Sequence, residues 1–428
     1  MASFSFGAGN ARQLASIPLY ALGRLGTLLI PRRPGTWVFG CGVGIGDGAL
    51  ALWDVVVAEG HPAIWLVGSA REERDAASRG IPSVRKGSIR GFWCTARAGI
   101  VVVTHGFGDV NRYAVSGAYI VQLWHGIPLK RIGLDSPETV RSGILPGSRL
   151  VRAAIARMYR SAARRIDLLP AASHLVRGRL ESAFGLPDSH VPVSGEPRVD
   201  VLSRGTADTR RSQARAAIEA ATRPMGAAAR LVLYAPTWRD GAPDPAVPTA
   251  EEWTAIVDVL ARHDAVLLVR SHPLGAGDYS PPFQTERVLG LGSDAVIDVT
   301  PLLPALEALV TDYSSLAFDA ALVPVPVVFL APDVDAYGRS RGFYGAYADV
   351  AGEGWARDWR EAAAQLDSLL GDENARAARV KQAERLSERV HAFRDGKNTG
   401  RVYRAILAGS SATKPRGSTA RSVTKGIR

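Results

Sequence analysis

The chain has 428 residues, 46% hydrophobic and 22% charged, with a formal net charge of +11. That length suits two domains of ordinary size, and the composition excludes a disordered or fibrous chain. The two cysteines, Cys41 and Cys94, exclude a disulfide scaffold and a thiolate metal cluster, and they fit a reducing cytoplasm.

The positive charge is concentrated at the ends. Residues 1–35 hold Arg12, Arg24, Arg32 and Arg33 with no acid, and residues 409–428 hold Lys414, Arg416, Arg421, Lys425 and Arg428 with no acid. The body between them is nearly balanced. A nucleic-acid-binding domain would carry its excess on the folded body, so no nucleic acid partner is expected. Within residues 1–35, Leu14, Ile17, Ala21, Leu22, Leu25, Leu28 and Leu29 recur at helical spacing. The run is too short and too interrupted to span a bilayer. An interfacial helix on an anionic membrane surface and a helix packed on the domain both stay open. No cleavable signal pattern is legible. The Ser/Thr/Gly-rich tail 409–428 is expected to be disordered.

From residue 36 strand-like and helical runs alternate. WVFG (37–40), AIWLVG (63–68), GIVVVTHG (99–106), YIVQLWHG (119–126) and IDLLP (166–170) form a first series. LVLYAPT (231–237), AVLLVRSHP (265–273), AVIDV (295–299), ALVTD (308–312) and VPVVFLAPD (325–333) form a second. Short apolar strands alternating with helices predict an α/β protein with parallel sheets covered on both faces, and two series predict two Rossmann-like domains. We place them at 36–205 and 206–408, the second ending in C-terminal helices. In open sheets of this kind ligands bind beyond the carboxyl ends of the strands, so polar residues just after each strand are the candidates.

The glycine run GCGVGIGDG (40–48) follows the first strand and invites a dinucleotide reading. The second strand ends LVGSARE, without the acid at its tip that a ribose requires, which weakens it. A tight turn and a close backbone approach to a ligand both remain open.

His105 and His125 stand just past neighbouring strands, followed by Gly106 and Gly126, and Lys130 lies one turn on. Histidine is the side chain best suited to move a proton near neutral pH. In the second series Thr237, Arg239 and Asp240 follow one strand, Arg270, Ser271 and His272 the next, and Thr311, Asp312, Tyr313, Ser314 and Ser315 a later one. In LVTDYSSLAFDAAL, strand, hydroxylic turn and helix are read in sequence, a geometry that either caps the helix or binds an anion. Arginine and histidine on neighbouring strand ends would complete a diphosphate site.

WHGIPLK (124–130), GEPRVD (195–200), YAPTWRD (234–240), TDYSSLAFD (311–319), Asp333, Tyr337, RGFY (341–344) and DGKNTGRV (395–402) occur in that order. In these motifs the sequence resembles the CDP-glycerol:poly(glycerophosphate) glycerophosphotransferase family of teichoic acid synthesis, from about residue 36 to 406. The resemblance implies a GT-B-like fold, two Rossmann-like domains facing across a cleft. It also implies a peripheral location on the cytoplasmic face of the cell membrane, and a CDP-glycerol or related CDP-polyol donor. The acceptor would be the hydroxyl of a lipid-linked polymer on the first domain, with the nucleotide on the second.

On that resemblance His125 is expected to be the base and His272 to act with it. Arg239, Thr311, Ser314, Ser315 and Asp319 are expected to hold the donor, and Lys130 and His105 to serve the acceptor or add charge. No cofactor or metal ligand is assigned, a Mg2+ requirement is left open, and Asp333-Val-Asp335 is weighed as a weak metal triplet. A nucleotide-sugar glycosyltransferase on the same fold and a non-catalytic membrane scaffold are the alternatives.

Overall fold

Alternating β and α segments build two parallel sheets of five strands each among the described residues, which in this computed structural model are 17–140, 148–239, 243–271 and 277–412. The first sheet comprises β1 (Arg33–Phe39), β2 (Ala63–Val67), β3 (Ser83–Arg85), β4 (Ala98–Val103) and β5 (Tyr119–Gln122). The second comprises β6 (Arg230–Ala235), β7 (Ala265–Val269), β8 (Val288–Gly290), β9 (Ala308–Thr311) and β10 (Val327–Phe329). Their spatial orders are β3-β2-β1-β4-β5 and β10-β9-β6-β7-β8. Chain direction across each sheet therefore reverses between β1 and β4, and between β6 and β9. Those are the switch points where a crevice opens at the carboxyl edge.

The buried stretches of the central strands are apolar because both faces are covered. In β1, Trp37 and Phe39 pack with Trp53 and Trp65, whereas Val38 faces a second core with Val101 and Val103. The second sheet packs Val232 and Tyr234 against Trp253 and Trp359. Buried apolar side chains run on from Val38's face of the first sheet to Leu231, Leu233 and Leu309 of the second, so one core joins the two domains.

Two expected strands do not form. Residues 166–170 contribute one bridge, Val121 to Leu168. Residues 295–299 leave the sheet because the Arg270 guanidinium takes their carbonyls, donating to Val296 O at 2.8 Å and Ile297 O at 3.0 Å. Val288–Gly290 fills the edge position instead. It and Ser83–Arg85 are three-residue strands, too short to carry a periodicity.

The last helix, Asn398–Ala412, also departs from the expected partition. A boundary at 408 assigns it to the second domain, but Val402, Tyr403 and Ile406 lie in the core of the first with Trp37 and Phe39. His61 Nε2 meets Tyr403 Oη at 2.8 Å. The helix runs four residues past the boundary to Ala412, so the start of the expected disordered tail is helical; residues 413–428, like 1–16, lie outside the described residues.

The N-terminal helix Ile17–Leu29 packs through its glycines. Gly26 meets the Phe92 ring, and a Cβ on Gly23 would collide with the Tyr113 backbone. Leu19, Leu22, Leu25, Leu28 and Leu29 face outward, the last two 74% and 85% exposed. The small face is turned in and the leucine face out.

Candidate active site

The first half of the site is made by the turns after β4 and β5. Asp109 Oδ2 accepts the backbone N–H groups of Thr104 at 2.9 Å, His105 at 2.7 Å and Gly106 at 3.3 Å, which holds the 104–106 turn. After β5 the chain makes an abrupt reversal with Trp124 at φ +62° and Gly126 at φ +122°. The two turns bring the His105 and His125 rings face to face, 4.1 Å between centroids and 3° from parallel. Trp124 lies 4.1 Å from His125 as well.

Burial pushes both imidazoles below their ordinary value, His125 furthest. His125 is therefore uncharged at neutral pH. Its Nδ1 faces the Thr104 carbonyl across a long 3.5 Å contact. A carbonyl only accepts, so Nδ1 carries the proton and Nε2 keeps a lone pair, as a base requires.

The second half is the turn after β9. A Cβ on Gly126 would sit 3.0 Å from Ser315 Oγ and 3.5 Å from Arg198 Nη1. The tips of the two domains thus meet at His125-Gly126 and Ser315, with Arg198 beside them. Ser314 Oγ accepts the Leu316 N–H at 3.2 Å. The helix that follows, Leu316–Ala320, has only five residues. Its dipole is too short to carry the expected anion site, and charge must come from side chains and turn amides.

Three residues expected to hold a donor are committed elsewhere. Thr311 is buried and donates to Ala235 O at 2.6 Å, tying β9 to β6. Arg239 bonds Asp312 at 2.8 Å and both oxygens of Asp333 at 2.9 Å, over the rings of Tyr313 and Tyr337. Two carboxylates match its charge, so it organises the loop rather than presenting a free cation. Against the cost of burial, Arg239 holds the Asp333 carboxyl below the usual range. Tyr313 also donates to Asp333 at 2.8 Å, which leaves the Asp333-Val-Asp335 triplet without a free first ligand. Asp319 is 1% exposed and bound to Arg198 at 2.5 Å. His272 lies outside the described residues.

Arg198 is the residue that sequence reasoning passed over. It stands where the chain crosses from the first domain to the second, and it bonds Asp47 of the first at 2.9 Å. From the second it bonds Asp319 at 2.5 Å and Thr300 Oγ1 at 3.0 Å. Nearby, Glu196 is buried with Oε2 unpartnered. Burial, then the charges of Asp319 and Asp47, push its carboxyl up to about 8, against the pull of Arg198. GEPRVD was legible as a motif, but only the crossing shows that its arginine reaches both domains.

Other motifs also meet in space. WHGIPLK and RGFY pair as a short ladder, Arg131 N to Gly342 O at 2.9 Å and Tyr344 N to Leu129 O at 3.0 Å. Lys130 lies in that ladder, its amine pushed down to about 8 by burial and by Arg341. Asp200 of GEPRVD caps DGKNTGRV, accepting from Asn398 N at 2.9 Å and from Thr399 N at 2.8 Å and Oγ1 at 2.6 Å.

Comparison with known proteins bears on the fold and the family. The chain is 29% identical over 279 residues to the teichoic acid glycerol-phosphate transferase of Staphylococcus aureus, covering 62% of this chain and 66% of that one. It is 26% identical over 295 residues to the teichoic acid poly(glycerol phosphate) polymerase of Bacillus subtilis, covering 67% of this chain and 37% of that one. The matches thus span less than two thirds of those relatives' own lengths. Among solved structures, the wall teichoic acid polymerase TagF superposes with TM-score 0.74 at 20% identity over 94% of this chain and 96% of that one. Staphylococcus aureus MnaA with UDP superposes at 0.52 and 13% identity over 90% and 99%. At such identities these likenesses speak for the two-domain, GT-B-like fold. Residues 52–408 match the family CDP-glycerol:poly(glycerophosphate) glycerophosphotransferase, and the chain belongs to it.

Proposed function

We propose that this protein transfers glycerol phosphate from CDP-glycerol to the hydroxyl of a lipid-linked acceptor, releasing CMP, in the synthesis of a teichoic acid or a related envelope polymer. The observation that carries the reading is that the turn holding an uncharged His125 meets Ser315 across the domain boundary through Gly126. A base from one domain and hydroxyl groups from the other then flank one reacting phosphorus.

In this reading His125 Nε2 takes the proton of the acceptor hydroxyl as its oxygen attacks the phosphorus bearing the glycerol. The new P–O bond forms as the bond to the bridging oxygen of CMP breaks, and the electron pair leaves on CMP. Such transfer depends on positioning and charge stabilisation, with the base adding about 10²- to 10⁴-fold. Ser314 and Ser315 supply hydroxyl donors, and Lys130 supplies positive charge from the ladder beside the cleft. His272 is retained as a second acting group on the grounds of sequence alone. The donor assignment is supported by family membership and by the structure of a TagF variant with CDPG.

The acceptor's lipid is met at the surface of helix Ile17–Leu29. Its outward leucines are exposed, as are Ile89 and Trp93 of the helix whose Phe92 meets Gly26, and the same two helices carry Arg24, Arg90 and Arg97. Apolar side chains set among arginines suit the interface of an anionic leaflet. Among the described residues no helix is long and apolar enough to cross a membrane. A peripheral enzyme on the cytoplasmic face fits that arrangement.

The test is mass analysis of products after mixing the protein with a synthetic lipid-linked acceptor and CDP-glycerol, CDP-ribitol or UDP- and GDP-sugars. CMP release with a mass gain of one glycerol phosphate or more is expected. Transfer from a UDP- or GDP-sugar alone would replace the reading with a glycosyltransferase, and no transfer from any donor would replace it with a scaffold.

A further inference from the structure

The glycine run 40–48 has no role in the reaction as written, and four of its amides are already taken. Gly40 N donates to Val102 O at 3.0 Å, Gly42 N to Thr104 Oγ1 at 3.2 Å, Gly44 N to Cys41 O at 3.3 Å and Gly48 N to Asp47 Oδ1 at 2.7 Å. What the run does for its neighbours is leave space. A Cβ on Gly42 would run into the His105 ring, 2.5 Å from Nδ1, and one on Gly40 would strike the carbonyl of Asp109.

We propose that this glycine-rich turn is a seat for the His105 imidazole, and that His105, lying flat on His125, is a positioning residue that fixes the His125 ring for proton transfer. The proposal rests on the reading of His125 as the base.

Three independent constraints converge on the His105 ring. Its backbone N–H is held by Asp109 at 2.7 Å, its Nδ1 meets Thr104 Oγ1 at 2.8 Å, and its face lies on His125 with a 3° tilt. A surface histidine without function would not need a missing Cβ on one side and a carboxylate-clamped turn on the other.

The stack also bears on charge. The groups facing His125 are His105 from the 104–106 turn and Arg198 from the crossing segment, both opposing its protonation. Asp109 and Asp47 act on His105, where they favour the cation. As pH falls, a proton on one ring therefore disfavours a proton on the other, and His125 stays a base to lower pH than burial alone would allow. A phenyl ring in place of His105 keeps the stack, removes the competing charge, and offers a face that favours an imidazolium.

The experiment follows the His125 ring by NMR titration of histidine-labelled full-length protein, alongside the pH profile of CMP release. In His105→Phe the His125 midpoint is expected to rise, with the acid limb of kcat/KM moving by the same amount. Gly42→Ala should raise the midpoint similarly by displacing the ring, and should add nothing in a His105→Ala background. An unmoved His125 midpoint in folded His105→Phe overturns the proposal, as does full additivity of Gly42→Ala with His105→Ala. If Gly42→Ala does not fold, the His105→Phe titration decides alone. A midpoint that moves as expected in a protein releasing no CMP from CDP-glycerol would leave the stack intact and remove the proposed reaction instead.

Discussion

Replacing Arg198 by methionine keeps the length of the side chain and removes its charge from between the domains. The guanidinium bonds Asp47 at 2.9 Å, Asp319 at 2.5 Å and Thr300 at 3.0 Å, and Asp319 is buried with its other oxygen unpartnered. Removing one member of a buried ion pair costs about 3–5 kcal/mol, because the charge left behind is uncompensated. The loss should depend on pH. Burial already raises the Asp319 carboxyl and lifts Glu196 to about 8, and in both cases Arg198 opposes the rise. Without Arg198 both climb further.

A carboxyl whose folded value lies above its unfolded one contributes stability below the unfolded value and loses it as pH rises through the folded value. The variant's deficit therefore opens above the wild-type value of Asp319. It grows by about 1.4 kcal/mol per pH unit for each carboxyl that keeps its proton, and Glu196 joins above about 8. Urea denaturation at pH 5.5 and pH 8.5 reads this directly: the deficit should be several kcal/mol at the higher pH and distinctly smaller at the lower. Equal deficits at both pH values, or one under about 1 kcal/mol at pH 8.5, would refute Arg198 as the charge that joins the domains.

With its amine pushed down to about 8, Lys130 should lose charge in the alkaline range. kcat/KM for CMP release should fall as pH rises above that value, and Lys130→Arg, which stays charged, should move the limb beyond pH ~10. Asp200→Asn removes a buried carboxylate that accepts three hydrogen bonds from Asn398 and Thr399. The cost is about 2 kcal/mol or more, and amide exchange should quicken across 398–412 while β6 to β10 stay protected. Leu25→Glu with Leu28→Glu alters outward side chains, so the melting temperature should hold. Binding to anionic vesicles should fall at least tenfold, since each leucine buried in lipid is worth about 1.5–3 kcal/mol.

Strand runs, the two-series order and the family motifs are local patterns, and they carried the fold class correctly. A strand stretch buried on both faces reads as a near-continuous apolar run, and Trp37 to Phe39 of β1, β4, Leu231 to Ala235 of β6 and Ala308 to Val310 of β9 read that way. His105 and His125 were legible for the same reason, as polar residues immediately past such strands. The misreadings share a different cause. AVIDV looks like a strand because its composition is right, yet its carbonyls belong to Arg270. Arg239 looks like a free cation at a strand tip, yet two carboxylates from later in the chain, Asp312 and Asp333, close on it.

Sequence by itself thus determined most of the strands, the polar residues beyond their carboxyl ends at which chemistry is expected, and the family. The tertiary structure alone decided which polar residues remain available for that chemistry. Hydrogen-bond and ion-pair partners come from distant segments, and nothing in a local pattern says whether a guanidinium will meet a carboxylate first. Only in space does the glycine run become room for an imidazole, Arg198 a tie between domains, and the last helix part of the first core. Burial, which sets how strongly each charge is held, is a property of the packed whole.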